Sequence, residues 1–182
     1  GPHPAKFPAY DIYKSGSDSI RNGLSVSGRN NLIILSNNQV KLAGLLRKLT
    51  NWSEDAYIVG FAPSNWQRHK NLEIDHFDDL RIHMPTAFHI DYDDLEVQEF
   101  VLKFRLKFGG EPSTFAFRGY DLAMHFVPNL NGIRSVGPEY MLAVEEIGLQ
   151  SEFGWKRLPN GGFENTSSRM VDFTGLQLKL AT

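Results

Sequence analysis

The chain has 182 residues and a mass of 20.6 kDa, with 41% hydrophobic and 22% charged residues, the size of one globular domain or two small lobes; collagen-like, coiled-coil and wholly disordered readings are excluded. Nineteen Lys and Arg against 21 Asp and Glu give a formal charge of −2 without long runs of one sign, so non-specific binding to nucleic acid or to an anionic membrane has no electrostatic basis. Cysteine is absent, which removes disulfide frameworks, thiolate zinc sites, iron–sulfur clusters and thiol catalysis together.

The chain opens Gly1-Pro2-His3-Pro4 without a Met or a signal-peptide pattern, and residues 1–8 are expected to be a leader or remnant, with any secretion signal or further domain lying upstream. After a short run from Tyr10 to Lys14 and a helix start at Ser17-Asp18-Ser19-Ile20, the run Leu32-Ile33-Ile34-Leu35 reads as a buried strand. It is far short of the roughly 20 apolar residues of a membrane span. Ser36-Asn37-Asn38 then cap a helix with Val40, Ala43, Leu46 and Leu49 on one face. A second strand, Ala56 to Phe61, ends in the turn Pro63-Ser64-Asn65 before Trp66. Strand, helix and strand make a βαβ unit whose parallel strands open their carboxyl ends on one edge.

A third run, Leu80 to Met84, reads as a strand stopping at Pro85. Asp91 to Asp94 cap a helix with the stripe Val97, Phe100, Val101, Phe104 and Phe108, closed by Gly109-Gly110; the stripe is assigned to the core. Ala116, Tyr120, Ala123, Val127 and Leu130 mark a second helix to about Asn131, partnered with the first, and Pro138 opens a short helix to about Glu146. Phe153 to Leu158, the turn Pro159 to Gly162, Phe163 onward, Met170 to Phe173 and Leu176 to Leu180 are extended. The class is α/β with residues about 9–90 as a βαβ portion, about 91–147 helical and about 148–182 a β-rich tail. That tail either completes this sheet or pairs with another chain.

The passage from Glu99-Phe100-Val101 to Lys107-Phe108-Gly109, followed by Glu111-Pro112 and then Phe115-Ala116-Phe117-Arg118-Gly119-Tyr120-Asp121, resembles type I periplasmic binding proteins. In the branched-chain amino-acid-binding relatives, "F-x-x-x-F-G", "E-P" and "A-x-x-G-Y-D" follow in this order. Asn30 to Asn38 and Gly60 to Trp66 fit the same pattern, as do Gly148 to Phe153 and Gly161 to Asn165, which resemble a Bacteroidetes cell-envelope branch in which such a region follows peptidoglycan-binding LysM modules. No LysM module is present in these residues. The resemblance implies a parallel-sheet βαβ sandwich over 9–182, partial in extent, about one lobe plus C-terminal elements. It also implies a periplasmic or cell-envelope setting and an upstream domain or lobe as partner. Because that family traps its ligand between lobes, such a portion presents half a pocket.

The expected ligand-facing rim is Ser36, Asn37 and Asn38 after one strand and Ser64, Asn65 and Trp66 after the next, with Tyr120 added from the family phrase. Asn offers donors and acceptors, and an indole stacks on a sugar face or peptide plane, so a small polar solute such as a saccharide or muropeptide fits. Helix capping by itself explains the Asn and Ser residues, and is the favoured reading over ligand contact. Family members that bind amino acids place an acid near the second loop, and Ala62 to Gln67 has none. Asp121 is expected to serve a helix start, and Arg118 to pair with an acidic neighbour.

His83, His89, Asp91, Asp93 and Asp94, with Asp75, His76, Asp78 and Asp79 upstream, are the alternative metal or hydrolytic cluster, but no His-Glu-x-x-His pattern or calcium-loop spacing accompanies them. No metal or other cofactor is expected. Neither a Gly-x-Ser-x-Gly elbow nor a phosphate-binding Gly loop occurs. The expectation is a non-catalytic recognition or scaffolding domain that binds no nucleic acid and has no membrane span. Its alternatives are a protein-interaction or homodimerisation module that has lost solute binding, and a metal-dependent hydrolase.

Overall fold

The computed structural model describes residues 8–12, 14, 16–69 and 72–181. Most of the expected leader and part of the Tyr10 to Lys14 run lie outside them. The chain divides into two compact units, Gly1–Met84 with Asp172–Gln177, and Pro85–Val171 with Leu178–Thr182. It therefore passes between units three times, at 84/85, 171/172 and 177/178.

The first unit carries α1 (Asp18–Gly23), β1 (Asn30–Ile33), α2 (Gln39–Ser53), β2 (Ile58–Phe61), a 3-10 turn (Ser64–Arg68), α3 (Ile74–Asp79) and the start of β3 (His83–Thr86). β1 and β2 pair in parallel from Asn30↔Ile58 to Ile33↔Phe61, as the βαβ reading predicts. β1 is not a wholly buried strand, however. Ile34 is buried while Ile33 and Leu35 are 68% and 80% exposed, because alternate residues of an edge strand face opposite sides.

Asn38 caps α2, its Oδ1 accepting from Lys41 N–H at 3.1 Å. The buried face of α2 is Leu42, Leu45, Leu46 and Leu49, so Val40 points outward: the i, i+3, i+4, i+7 set starts two residues later than expected. Gly60 in β2 is required by packing, since a Cβ there would fall on the Ile82 side chain. Leu80 and Ile82 are buried outside any strand, because Arg81 takes a left-handed φ of 46° and interrupts the extended run. β3 then starts at His83 and runs through Pro85, correcting both ends of the expected strand.

The second unit holds α4 (Leu95–Phe108), α5 (Thr114–Val136), a 3-10 turn (Pro138–Ala143), the antiparallel pairs β4 (Glu146–Ile147) with β5 (Glu152–Phe153) and β6 (Trp155–Arg157) with β7 (Phe163–Asn165), and the start of β8 (Arg169–Thr174). Asp94 caps α4 by accepting from Glu96 N–H at 2.7 Å, and Gly109 ends it at φ 72°. Val97 and Val101 join Phe117 and Leu149 in a core against which Phe100 and Ile90 pack, but Phe108 is exposed and is no core residue.

α5 runs five residues beyond the expected end and turns a different face inward: Phe117, Asp121 and His125 are buried, while Tyr120, Val127 and Leu130 are exposed. Its interior Pro128 lacks the N–H of a helix residue. The segment expected as a short helix to Glu146 is the 3-10 turn, whose Tyr140 ring occupies the space a Cβ on Gly132 would fill.

β8 and β9 (Gln177–Leu180) meet in a two-residue turn with both Gly175 and Leu176 at φ 62°. The sheet order is β1-β2-β3-β8-β9, so the tail completes this sheet.

Candidate functional site

The first cluster is built by the chain leaving β1 and β2 at their carboxyl ends. Parallel pairing sets loops 34–38 and 62–66 side by side, and Asn65 Nδ2 donates to Asn37 Oδ1 at 2.8 Å between them. Beneath this pair Trp66 is only 1% exposed; its indole N–H donates to Ser36 carbonyl oxygen at 3.0 Å and its ring lies 6.0 Å from Phe77. The indole thus supports the rim from below and offers no face on which a sugar could stack. Ser36 Oγ accepts from Asn38 N–H at 3.3 Å, while Asn38 Oδ1 is occupied by the α2 cap. Ser64 opens the 3-10 turn.

Five of the six expected rim residues thus interlock through hydrogen bonds around one strand-end ledge, and Asn65 retains a buried Oδ1 with no hydrogen-bond partner. A buried acceptor without a donor is costly. Beside the ledge, His83 faces the Phe61 ring at a centroid distance of 5.1 Å, and its Nε2 lies 3.8 Å from Asp172 Oδ2. That neighbour comes from 89 positions later and has no local signal in sequence.

The second cluster lies in the second unit. Asp121 is 2% exposed and its carboxylate accepts three backbone N–H groups, from Leu149 at 2.8 Å and from Gln150 and Ser151 at 3.0 Å. Its role is structural, as expected, but it sits well inside α5 and grips a loop rather than a helix start. Gly148 is needed there, because a Cβ would lie 2.6 Å from Asp121 Cγ. Arg169 holds the same loop through Gly148 carbonyl at 2.8 Å and reaches His89 carbonyl at 3.2 Å; its Nε is 3.2 Å from Glu152 Oε1. Burial holds the His89 pKa below its ordinary 6.5, against the raising effect of Asp91 and with a further lowering from Arg169.

One turn further along α5, the Trp155 indole donates to His125 Nε2 at 2.9 Å, leaving Nδ1 to donate to Glu146 at 2.8 Å, and the imidazole stacks on Phe153 at 4.1 Å. These contacts were not foreseen; the visible signal is the i, i+4, i+8 spacing of Phe117, Asp121 and His125. Tyr120 belongs to this unit and packs its ring 4.8 Å from Phe100. Arg118 lies over the Phe88 and Phe115 rings, correcting its expected ion pair.

The His and Asp cluster does not assemble. Among the described residues no three His, Asp or Glu side chains converge on one point. His76 faces Thr50 and Glu73, Asp78 accepts from Gly175 N–H, and Asp94 is the α4 cap. No described helix is long and apolar enough to cross a membrane.

Neither a family model nor a curated protein matches the chain. Among solved structures, a branched-chain amino acid ABC transporter from Rhodospirillum rubrum aligns with 96% of this chain and 49% of its own at 15% identity and a TM-score of 0.56. An ABC transporter substrate-binding protein from Desulfitobacterium hafniense, solved with Leu, aligns with 93% of this chain and 56% of its own at 13% identity and a TM-score of 0.40. The chain thus spans about half the length of the solved proteins it matches. The first likeness is one of fold alone: a mixed α/β architecture resembling that of the Rhodospirillum rubrum protein.

Proposed function

We propose that residues 9–182 act as a non-catalytic, solute-binding-like module of the cell envelope, recognising a small neutral polar solute at the ledge after β1 and β2. The observation that carries this reading is the Asn37–Asn65 amide pair, placed where α/β sheets receive ligands, at the carboxyl ends of parallel strands. No acidic residue stands in loop 62–66, so a free ammonium group has no charge partner there and a saccharide or muropeptide is favoured over an amino acid. With Trp66 buried, such a ligand is held by amide hydrogen bonds. The half-length match supports a complementary domain or lobe completing the pocket, and a LysM-associated, periplasmic protein is the context in which we place it.

Thermal denaturation of the purified chain with neutral amino acids, mono- and disaccharides, muropeptides or divalent metals tests the proposal. A rise in Tm that grows with the concentration of one solute class, and is lost in a folded Asn65→Ala variant, is expected. No shift with any solute, or a shift with metal alone, would overturn it.

A further inference from the structure

α5 buries one face of mixed polarity and carries a separate apolar stripe on its far side. Phe117 and its neighbours at 121 and 125 face the unit's interior, whereas Ala116, Tyr120, Ala123, Val127 and Leu130 fall within an arc of about 80° on the far side. Val127 is 63% exposed, and Tyr120 and Leu130 are exposed as well. α4 extends this surface. From Tyr120 the rings continue to Phe100 at 4.8 Å, Phe104 at 6.0 Å and Phe108 at a further 4.6 Å. Phe108, like Val127, is 63% exposed and lies on this surface, and an exposed apolar surface of this extent suits a protein contact.

We infer that a second copy of this chain covers this face, with α5 packing antiparallel against α5 of its twin about a twofold axis beside Ala123. Two features select that arrangement. The first is size: pairing around Ala123 places Leu130 opposite Ala116, Val127 opposite Gly119 and Ala123 opposite itself, so the aliphatic side chains of the stripe meet small residues, while Tyr120 falls opposite Phe126. Pro128 is off this stripe.

The second feature is charge. Glu111 stands twelve positions before Ala123 and Arg134 eleven after it, so the antiparallel arrangement turns each Arg134 toward the twin's Glu111 and opposes the helix dipoles. A parallel arrangement would bring like charges together. Arg105 holds the Glu111 carboxylate through two bonds, at 2.7 and 2.9 Å, and fixes its position at the rim of the face. This contact uses only the second unit and stands whether or not the ledge in the first unit binds a solute.

The absence of cysteine makes a direct test available. Ala123→Cys is expected to form a reductant-reversible dimer under mild oxidation, while Ser135→Cys, on another side of α5, stays monomeric. The unmodified chain is expected to sediment as a concentration-dependent dimer, weakened about tenfold or more by Val127→Arg at unchanged circular dichroism. Sedimentation as a monomer at every concentration, or equal cross-linking of the two cysteine variants, would overturn the inference. If Val127→Arg fails to fold, the cross-linking result decides.

Discussion

Among the described residues, the buried side chains of the first unit are apolar, whereas the four buried polar or charged ones, Asp121, His125, Gln150 and Arg169, all belong to the second. The first unit sinks Leu42, Leu46, Leu49 and Trp66 and keeps its amides at a rim. The second turns polar groups inward to hold the backbone of residues 148–151 and leaves a stripe of apolar side chains outside. Hydrophobic burial thus shapes one unit, while charge-assisted hydrogen bonds fix the irregular part of the other.

Removing the Asp121 carboxylate should break this contrast most severely. Asp121→Ala leaves three N–H groups without their acceptor, and at about 1–3 kcal/mol for each unsatisfied buried group a loss of about 3 kcal/mol or more is expected in urea unfolding. A loss below about 1 kcal/mol would mean that the carboxylate does not hold the loop.

Gln150 sharpens the comparison from the opposite side. Its wholly buried amide has neither nitrogen nor oxygen paired, so Gln150→Met should gain about 1–2 kcal/mol, and destabilisation would show that the amide is satisfied in solution. In the first unit the polar groups matter less. Asn38→Ala removes one cap and should cost about 1 kcal/mol, read as a lower urea midpoint with the transition slope unchanged.

His89 gives the smallest effect. Because its folded pKa is depressed, the folded state binds fewer protons than the unfolded chain below 6.5; its contribution is complete above that value and is lost as pH falls through the lower folded pKa. The urea midpoint should therefore fall on acidification from about pH 7.5 to about pH 5, and His89→Gln should flatten that dependence. An unchanged slope in the variant would exclude His89 as its source.

Local chemistry was the legible part of the sequence. The parallel βαβ, the caps at Asn38 and Asp94 and the stop at Gly109 each depend on a few adjacent residues and are found where expected. The inward face of α5 was hidden because its apolar stripe has the stronger helical period, while Asp121 and His125 read as surface residues until their partners at 146–155 are known. Trp66 carried the right position but no direction, since sequence spacing does not tell whether an indole lies above a ledge or beneath it. Arg81 broke a convincing apolar run because a left-handed backbone angle at a non-glycine residue has no compositional sign.

The threefold passage of the chain bears on its synthesis. The first unit needs residues 172–177, where Phe173 packs on Phe77 and Gly175 N–H meets Asp78, yet the 87 residues from Pro85 to Val171 are made in between. At about 5–20 residues per second, the nascent first unit waits roughly 4–17 s with β3 lacking its β8 neighbour. An open strand edge on the ribosome is a site for wrong pairing, so chaperone dependence during translation should exceed that of refolding the finished chain.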